Sequence, residues 1–149
     1  MRVLVDVNII LDVLCNRPPF VVDARALWTR VEAGKLRASL CATTIPTIYY
    51  LVRKQLGNPA ARQAVADLLT TFEICPVDEA VLRAALVRAM PDYEDAVQDA
   101  AAEQAGIGVI VTRNPNDFAS STRRIVDAAT LVQEVDALPT GTGPSLPNP

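Results

Sequence analysis

Three aspartates stand where segments with structural signals stop or start. Asp6 closes the run Arg2-Val3-Leu4-Val5-Asp6, Asp95 lies in the stretch Asp92-Tyr93-Glu94-Asp95, and Asp117 follows the apolar run Gly108–Thr112 through Arg113-Asn114-Pro115-Asn116. A carboxylate at such a place can cap a helix, sit in a turn or hold a cation. Asp92 has the spacing of an N-cap, Glu94 and Asp95 suit the positive end of the helix it opens, and Asp117 suits a turn. Asp6 is the hardest to explain this way. It could cap a helix starting at Asn8, but a carboxylate closing a buried strand is costly unless paired or bound to a metal. If Asp6, Asp92, Asp95 and Asp117 converge, with no Lys or His nearby in sequence, their repulsion calls for a cation. Oxygen ligands of this kind suit Mg²⁺ or Mn²⁺. Asp99, one turn beyond Asp95, falls on the same helix face and is expected to support that pocket.

Composition narrows the chemistry further. The 149 residues contain no histidine, which excludes His-based acid–base catalysis, Ser–His and Cys–His hydrolases, and His-ligated metals. Cys15, Cys41 and Cys75 are widely spaced and form no CxxC. That argues against a disulfide framework or a Cys-rich zinc site and for buried thiols in a reducing cytoplasm. Asp6 and Asp12 interrupt the N-terminal apolar stretch, so no signal peptide is read there, and no apolar run is long enough to span a membrane. The formal charge of -3 gives no bulk electrostatic footprint for nucleic acid. Twelve of the fourteen basic residues are arginine, a residue suited to bidentate contact with phosphate but also a product of GC-rich codon usage.

The elements that must position these acids alternate along the chain. Strands are expected at residues 2–6, Leu36–Cys41, Phe72–Cys75, Gly108–Thr112 and Arg124–Val126. Helices are expected at Asn8–Cys15, Phe20–Ala33, Thr44–Leu56, Ala60–Thr71, Glu79–Ala89, Asp92–Ala105 and Ala128–Val135, several closed by a glycine. Short strands that are apolar throughout belong to a parallel sheet covered on both faces. The expected architecture is therefore a three-layer α/β/α domain over residues 1–137, with a mostly parallel sheet of about five strands. Ligands of such sheets gather at the carboxyl ends of the strands, where Asp6 and the segment after Thr112 lie. Residues 138–149 are rich in Pro, Gly, Thr and Ser and are expected to form a disordered tail.

Three segments together resemble a known family. VDVNIILDVL at the start, DYEDAVQDAAAEQAG in the middle and VIVTRNPNDF near the end, in that order and spacing, resemble the PIN domain, and within it the VapC-like toxins of bacterial toxin–antitoxin systems. The resemblance spans residues 1–135. It implies a parallel sheet flanked by helices, an acidic pocket for Mg²⁺ or Mn²⁺, and metal-dependent hydrolysis of RNA phosphodiesters. It assigns Asp6 and Asp95 to family acids, Asn8 to a supporting polar residue, Asp92 to an accessory acid and Thr112 to a strand-end hydroxyl. The chain departs from the pattern at two places: Thr47 stands where the family carries a glutamate on the helix after the second strand, and Asn114 stands where it carries an aspartate, with Asp117 able to supply that carboxylate.

On this reading Asp6, Asp95 and Asp117 are the catalytic acids and, with Asp92, hold the ion. Bound water then attacks in line without a protein nucleophile. Asn8, Thr47, Asp99, Thr112 and Asn114 support the site, and Arg17, Arg53 and Arg113 are candidates to hold RNA. The implied partners are an RNA substrate and a cognate antitoxin protein. A homodimer is also expected, because helices around Tyr49, Tyr50 and Leu51 could expose apolar surface. An alternative of another class is a PIN-like RNA- or protein-binding module whose site is weakened by Thr47 and Asn114. A haloacid-dehalogenase-like phosphotransferase needs a second aspartate where Asn8 stands. A receiver domain needs a late lysine, and none follows Lys54. A dinucleotide-binding domain needs a glycine-rich first turn, which Val7-Asn8-Ile9 cannot provide.

Overall fold

The computed structural model describes residues 1–139. The N-terminal strand β1 (Arg2–Val5) is followed by α1 (Val7–Leu14) and α2 (Val21–Glu32). Strand β2 (Arg37–Cys41) leads into α3 (Thr44–Leu56) and α4 (Asn58–Thr71), and β3 (Glu73–Cys75) into α5 (Glu79–Leu86) and α6 (Tyr93–Gln104). Strand β4 (Val109–Val111), a 3-10 turn at Pro115–Phe118, β5 (Arg124–Val126) and α7 (Ala128–Ala137) complete it. All five strands are parallel, in the order β3-β2-β1-β4-β5. The α/β layering read from the sequence is therefore the observed one. The expected tail, beyond Pro139, lies outside the described residues.

Burial on both sides explains the unbroken apolar character of β1. Val3 and Val5 join a cluster built with α1, α2, α3, α4 and α7, while Leu4 joins Ile110, Cys41 and Cys75 in a second cluster under α5 and α6. Successive strand side chains point to opposite faces, so a strand covered on both must be apolar at every position. Helix α6 packs with little room to spare: Ala96 through Ala102 are all buried. Four of those seven residues are alanines, which lets the helix axis approach the sheet. Gly106 then ends α6 at φ 67°. The Ile107 N–H donates to the Ala102 carbonyl at 2.8 Å, closing the helix and aiming the chain into β4.

Sequence and structure differ mainly at boundaries. Helix α5 stops at Leu86 rather than Ala89, and α2 starts after Phe20. The 3-10 turn that carries Asp117 is not visible in apolar periodicity, since it is short and mostly exposed. Among the described residues, no helix is long and apolar enough to cross a membrane.

Candidate functional site

The strand order reverses direction between β1 and β4. The chain builds outward from β1 through β2 to β3, then returns to place β4 on the other side. In open parallel sheets such a switch point leaves a crevice beyond the carboxyl ends of the strands. Asp6 sits in it. Its N–H donates to the Val111 carbonyl at 2.9 Å, extending the β1–β4 ladder, and its own carbonyl accepts from the Ile9 N–H at 3.1 Å, opening α1. The backbone is thus fixed on both sides. The side chain does not cap α1, so the capping explanation for this acid is not the one used. Instead the carboxylate, 2% exposed, accepts from the Thr112 hydroxyl at 2.9 Å and from the Gln98 amide at 3.2 Å. Burial raises its pKa; these two hydrogen bonds oppose the rise, and the charge of Asp117 adds to it.

The first turn of α6 brings the remaining acids. Asp92 is a genuine N-cap: its Oδ1 accepts from the N–H groups of Glu94 at 2.8 Å and Asp95 at 3.3 Å. Asp95 is half-buried, and the Gln98 amide that reaches Asp6 also lies 3.4 Å from Asp95 Oδ1, so one neutral NH₂ group stands between two carboxylates. Burial, and then the charges of Asp6, Asp92, Asp117 and Glu94, push Asp95 up to about 7. Glu94 is raised as well, by burial and by Asp92 and Asp6, with the Thr47 hydroxyl acting against the rise. No arginine or lysine is among the chief influences on Asp6, Glu94 or Asp95.

These donors fit a hard divalent cation by type and by charge. They are oxygens throughout, and two of them, Glu94 Oε1 and Gln98 Oε1, are buried without any hydrogen-bond partner. Buried polar atoms of this kind normally have one. The fit is not one of pre-set geometry: among the described residues, no three His, Cys, Asp or Glu side chains already stand grouped as ligands.

Other expected site residues fall in different places. Thr112 both donates to Asp6 and accepts the Asn114 N–H at 3.0 Å, tying the strand end to the following turn. Asn8 lies in the first turn of α1 and Asn114 just before the 3-10 turn, each half-buried; Asp117 is exposed. Asp99 does not support the pocket. It is 0% exposed and belongs to a separate ion network with Arg88, Arg123 at 3.8 Å and the Ser121 hydroxyl. Arg113 is drawn to the buried Asp12 at 3.0 Å, with Arg17 at 3.9 Å, and its guanidinium stacks 4.1 Å from the Phe20 ring. Arg113 is therefore committed to the fold rather than free for RNA, whereas Arg17 is loosely held and 36% exposed. Arg53 remains exposed, near Tyr50. Sequence reasoning missed Gln98, Glu94 and Asp12. A signal for the first was present: a glutamine at i+3 from Asp95 and i+4 from Glu94 must face the same way as they do.

The raised acids set a pH dependence. Unfolded Asp95 ionises near 3.8 and folded Asp95 near about 7. Between those values the folded state binds more protons than the unfolded, so stability falls as pH rises through the window and levels off above it. Asp6 and Glu94 act in the same sense. In a chelating buffer the melting temperature should fall between about pH 5 and 7, and Asp95→Asn should flatten that slope. A melting temperature that climbs across this range would contradict the crowding of acids.

Comparison with known proteins agrees with this architecture. The PIN domain family matches residues 2–116. Among curated proteins none matches the sequence. Three solved structures share the fold at low identity. DNA-bound VapBC from Salmonella typhimurium is 22% identical, with 86% of this chain and 98% of that chain covered at a TM-score of 0.64. FitAcB from Neisseria gonorrhoeae is 21% identical, with 85% and 97% covered at 0.62. VapC20 from Mycobacterium tuberculosis, described as a Sarcin-Ricin loop cleaving toxin, is 20% identical, with 72% and 86% covered at 0.59. With its parallel sheet, its strand-end aspartate and a family match over most of its length, the chain belongs to the PIN domain family.

Proposed function

We propose that this protein is a metal-dependent endoribonuclease, the toxin of a toxin–antitoxin pair. The observation that carries the reading is the meeting of Asp6 and Asp95 at the sheet's switch point, bridged by the one Gln98 amide; burial first, and then the surrounding acids, push Asp95 up to about 7. Mg²⁺ or Mn²⁺, when bound, would acidify a water and neutralise charge developing on the phosphate. Asp6, Asp95 and Asp117 hold the ion, with Asp92 beside them and also capping α6. Thr112 and Gln98 fix the rotamer of Asp6 at the strand end. Asn8, Thr47 and Asn114 supply neutral oxygens around them, and Arg53 is the exposed cation placed to meet an RNA backbone.

The partners follow from the same reading. Similar structures include toxin–antitoxin complexes, so we assign this chain a protein antitoxin. The homodimer is proposed on α3 and α4, where Tyr50, Leu56 and Leu69 are exposed; Tyr49 and Leu51 pack instead against the core. Light scattering reads that state directly. We place the protein in the cytoplasm, where its free cysteines would stay reduced.

A second reading, a binding module without catalysis, draws on the neutral residues Thr47 and Asn114 and on the absence of ready-grouped ligands among the described residues. Calorimetry with Mn²⁺ and cleavage of a structured RNA separate the two. The nuclease reading expects saturable Mn²⁺ binding and chelator-sensitive cleavage. RNA binding with neither would establish the module.

A further inference from the structure

Asp12, in α1, takes no part in the acidic site, yet its side chain is 0% exposed. Its charge is answered: Arg113 Nε stands 3.0 Å from Oδ2 and Arg17 3.9 Å from Oδ1. Its hydrogen-bonding capacity is not. Neither oxygen accepts a hydrogen bond, and Arg113 Nε donates none. Buried carboxylates normally accept aligned donors as well as facing a charge. Asp12 also lines a cavity of about 240 Å³, the liquid volume of about eight waters. Ile9 and Ala128 make part of its surface apolar, and Phe20 and Arg113 form one wall, the guanidinium 4.1 Å from the ring centre.

We propose that this cavity is a nucleobase subsite selective for guanine, in which Asp12 reads the edge of the base and Phe20 and Arg113 supply the plane beside it. The inference deepens the nuclease reading and rests on it for RNA as the ligand. The cavity is continuous with the elements that hold Asp6. The Ile9 N–H donates to the Asp6 carbonyl at 3.1 Å, and Arg113 follows Thr112, whose hydroxyl donates to the Asp6 carboxylate at 2.9 Å. Six residues of α1 separate Asp6 from Asp12, a rise of about 9 Å, which is the scale of one nucleotide. Single-stranded bases are read by stacking on aromatic or guanidinium planes and by hydrogen bonds to their edges. Phe20 is 43% exposed, and Arg113, fixed by Phe20 and Asp12, acts as a wall of the cavity and not as an arm for the phosphate backbone.

The lining selects the base. A carboxylate with two unused oxygens matches two adjacent N–H donors. Guanine alone among the RNA bases presents them, at its ring N1–H and its 2-amino group, with the O6 acceptor next to them for a guanidinium. Adenine, cytosine and uracil each present a single donor group on that edge. Asp23 and Asp127 stand exposed at the rim, which disfavours a phosphate here and favours a ring rich in donors. An arginine from a protein partner would bring a second guanidinium against Arg113, whereas guanine brings it an acceptor.

Phe20 is one of three phenylalanines in the chain, so its ring resonances can be followed by NMR while metal-free protein is titrated with nucleosides. Guanosine should shift them. Inosine, which lacks only the 2-amino group, should bind about tenfold more weakly, and adenosine, cytidine and uridine should leave the ring unmoved. Ala129→Leu, which fills the cavity from the first turn of α7, should lose the guanosine shift and respond to Mn²⁺ as wild type does. Phe20→Leu, at an exposed position, should lose guanosine binding as read from the nucleoside's own signals, with the melting temperature little changed. Equal binding of guanosine and inosine, or of all the nucleosides, would mean that Asp12 does not read the edge and would overturn the assignment. A shift with N-acetylarginine amide and none with guanosine would give the cavity to a protein cation, and no shift with any probe would make it a gap in packing; either overturns it as well. These outcomes leave the nuclease reading to Mn²⁺ calorimetry and RNA cleavage. Guanosine binding by a protein that neither binds Mn²⁺ nor cleaves RNA would keep the subsite and sink the nuclease.

Discussion

Asp6→Asn should abolish metal-dependent RNA cleavage and leave the metal-free protein at least as stable as wild type. Asp6 is buried, its pKa is raised, and the charge it carries faces other acids. Removing that charge relieves desolvation and repulsion together. The asparagine can keep part of the local network. Its Oδ1 can accept from Thr112, while the contact with Gln98 must be remade, because the same Gln98 NH₂ also faces Asp95. What the substitution cannot keep is the attraction for a cation. A ligand at a hundredfold excess over its Kd stabilises the folded state by about 2.7 kcal/mol. For wild type this is a rise in melting temperature of several degrees, and for Asp6→Asn it should vanish. Melting with and without Mn²⁺, beside cleavage of a structured RNA, measures both. Full cleavage and full metal stabilisation in the variant would end the assignment of Asp6.

Asp99→Ala should do the opposite: a large loss of stability with the metal response intact. Asp99 is wholly buried and answers two arginines, Arg88 and Arg123, whose side chains are themselves only 17% and 11% exposed. Deleting one member of a buried ion network leaves the others charged and unpaired, at a cost of about 3 kcal/mol or more. Glu103, half exposed, also touches both arginines and recovers part of this. For a domain of this size about 3 kcal/mol corresponds to a drop of roughly 6–12 °C. Below its lowered melting point the variant should bind Mn²⁺ as wild type does. A stable variant that has lost Mn²⁺ binding would return Asp99 to the acidic pocket.

The contrast between these two aspartates shows what could be read from spacing. Asp6 was legible because strand burial and strand end are both local properties, and its partner strand β4 announces itself through a β-branched run. The i, i+4 rule places Asp99 beneath Asp95, and on an isolated helix that is true. Helix α6, however, is buried almost all round, so a face is defined by what packs on it. One turn deeper, that is Arg88 from the end of α5 and Arg123 from the approach to β5, at sequence distances no helical period reports. The arginines are a similar case: nothing in the spacing pairs Arg113 with Asp12, 101 residues away, and only the fold brings the two together. Fold class and layer order are legible because they follow from alternation of strand and helix; side-chain partners contributed by distant segments are not.

The placement of β1 at the centre of the sheet also governs when the site can exist. The hydrogen bond from Thr112 to Asp6 spans 106 residues, and that from Gln98 spans 92. A ribosome adds about 5–20 residues each second, so Asp6 leaves the exit tunnel roughly 5–20 seconds ahead of the hydroxyl that holds it. Until β4 follows, the strand end has no wall on that side and the acids have no common edge on which to meet. The pocket is therefore absent until the segment carrying Thr112 has been made. A site whose acids and whose clamp come from opposite ends of the fold forms in one step, when β4 docks beside β1, and not by stages.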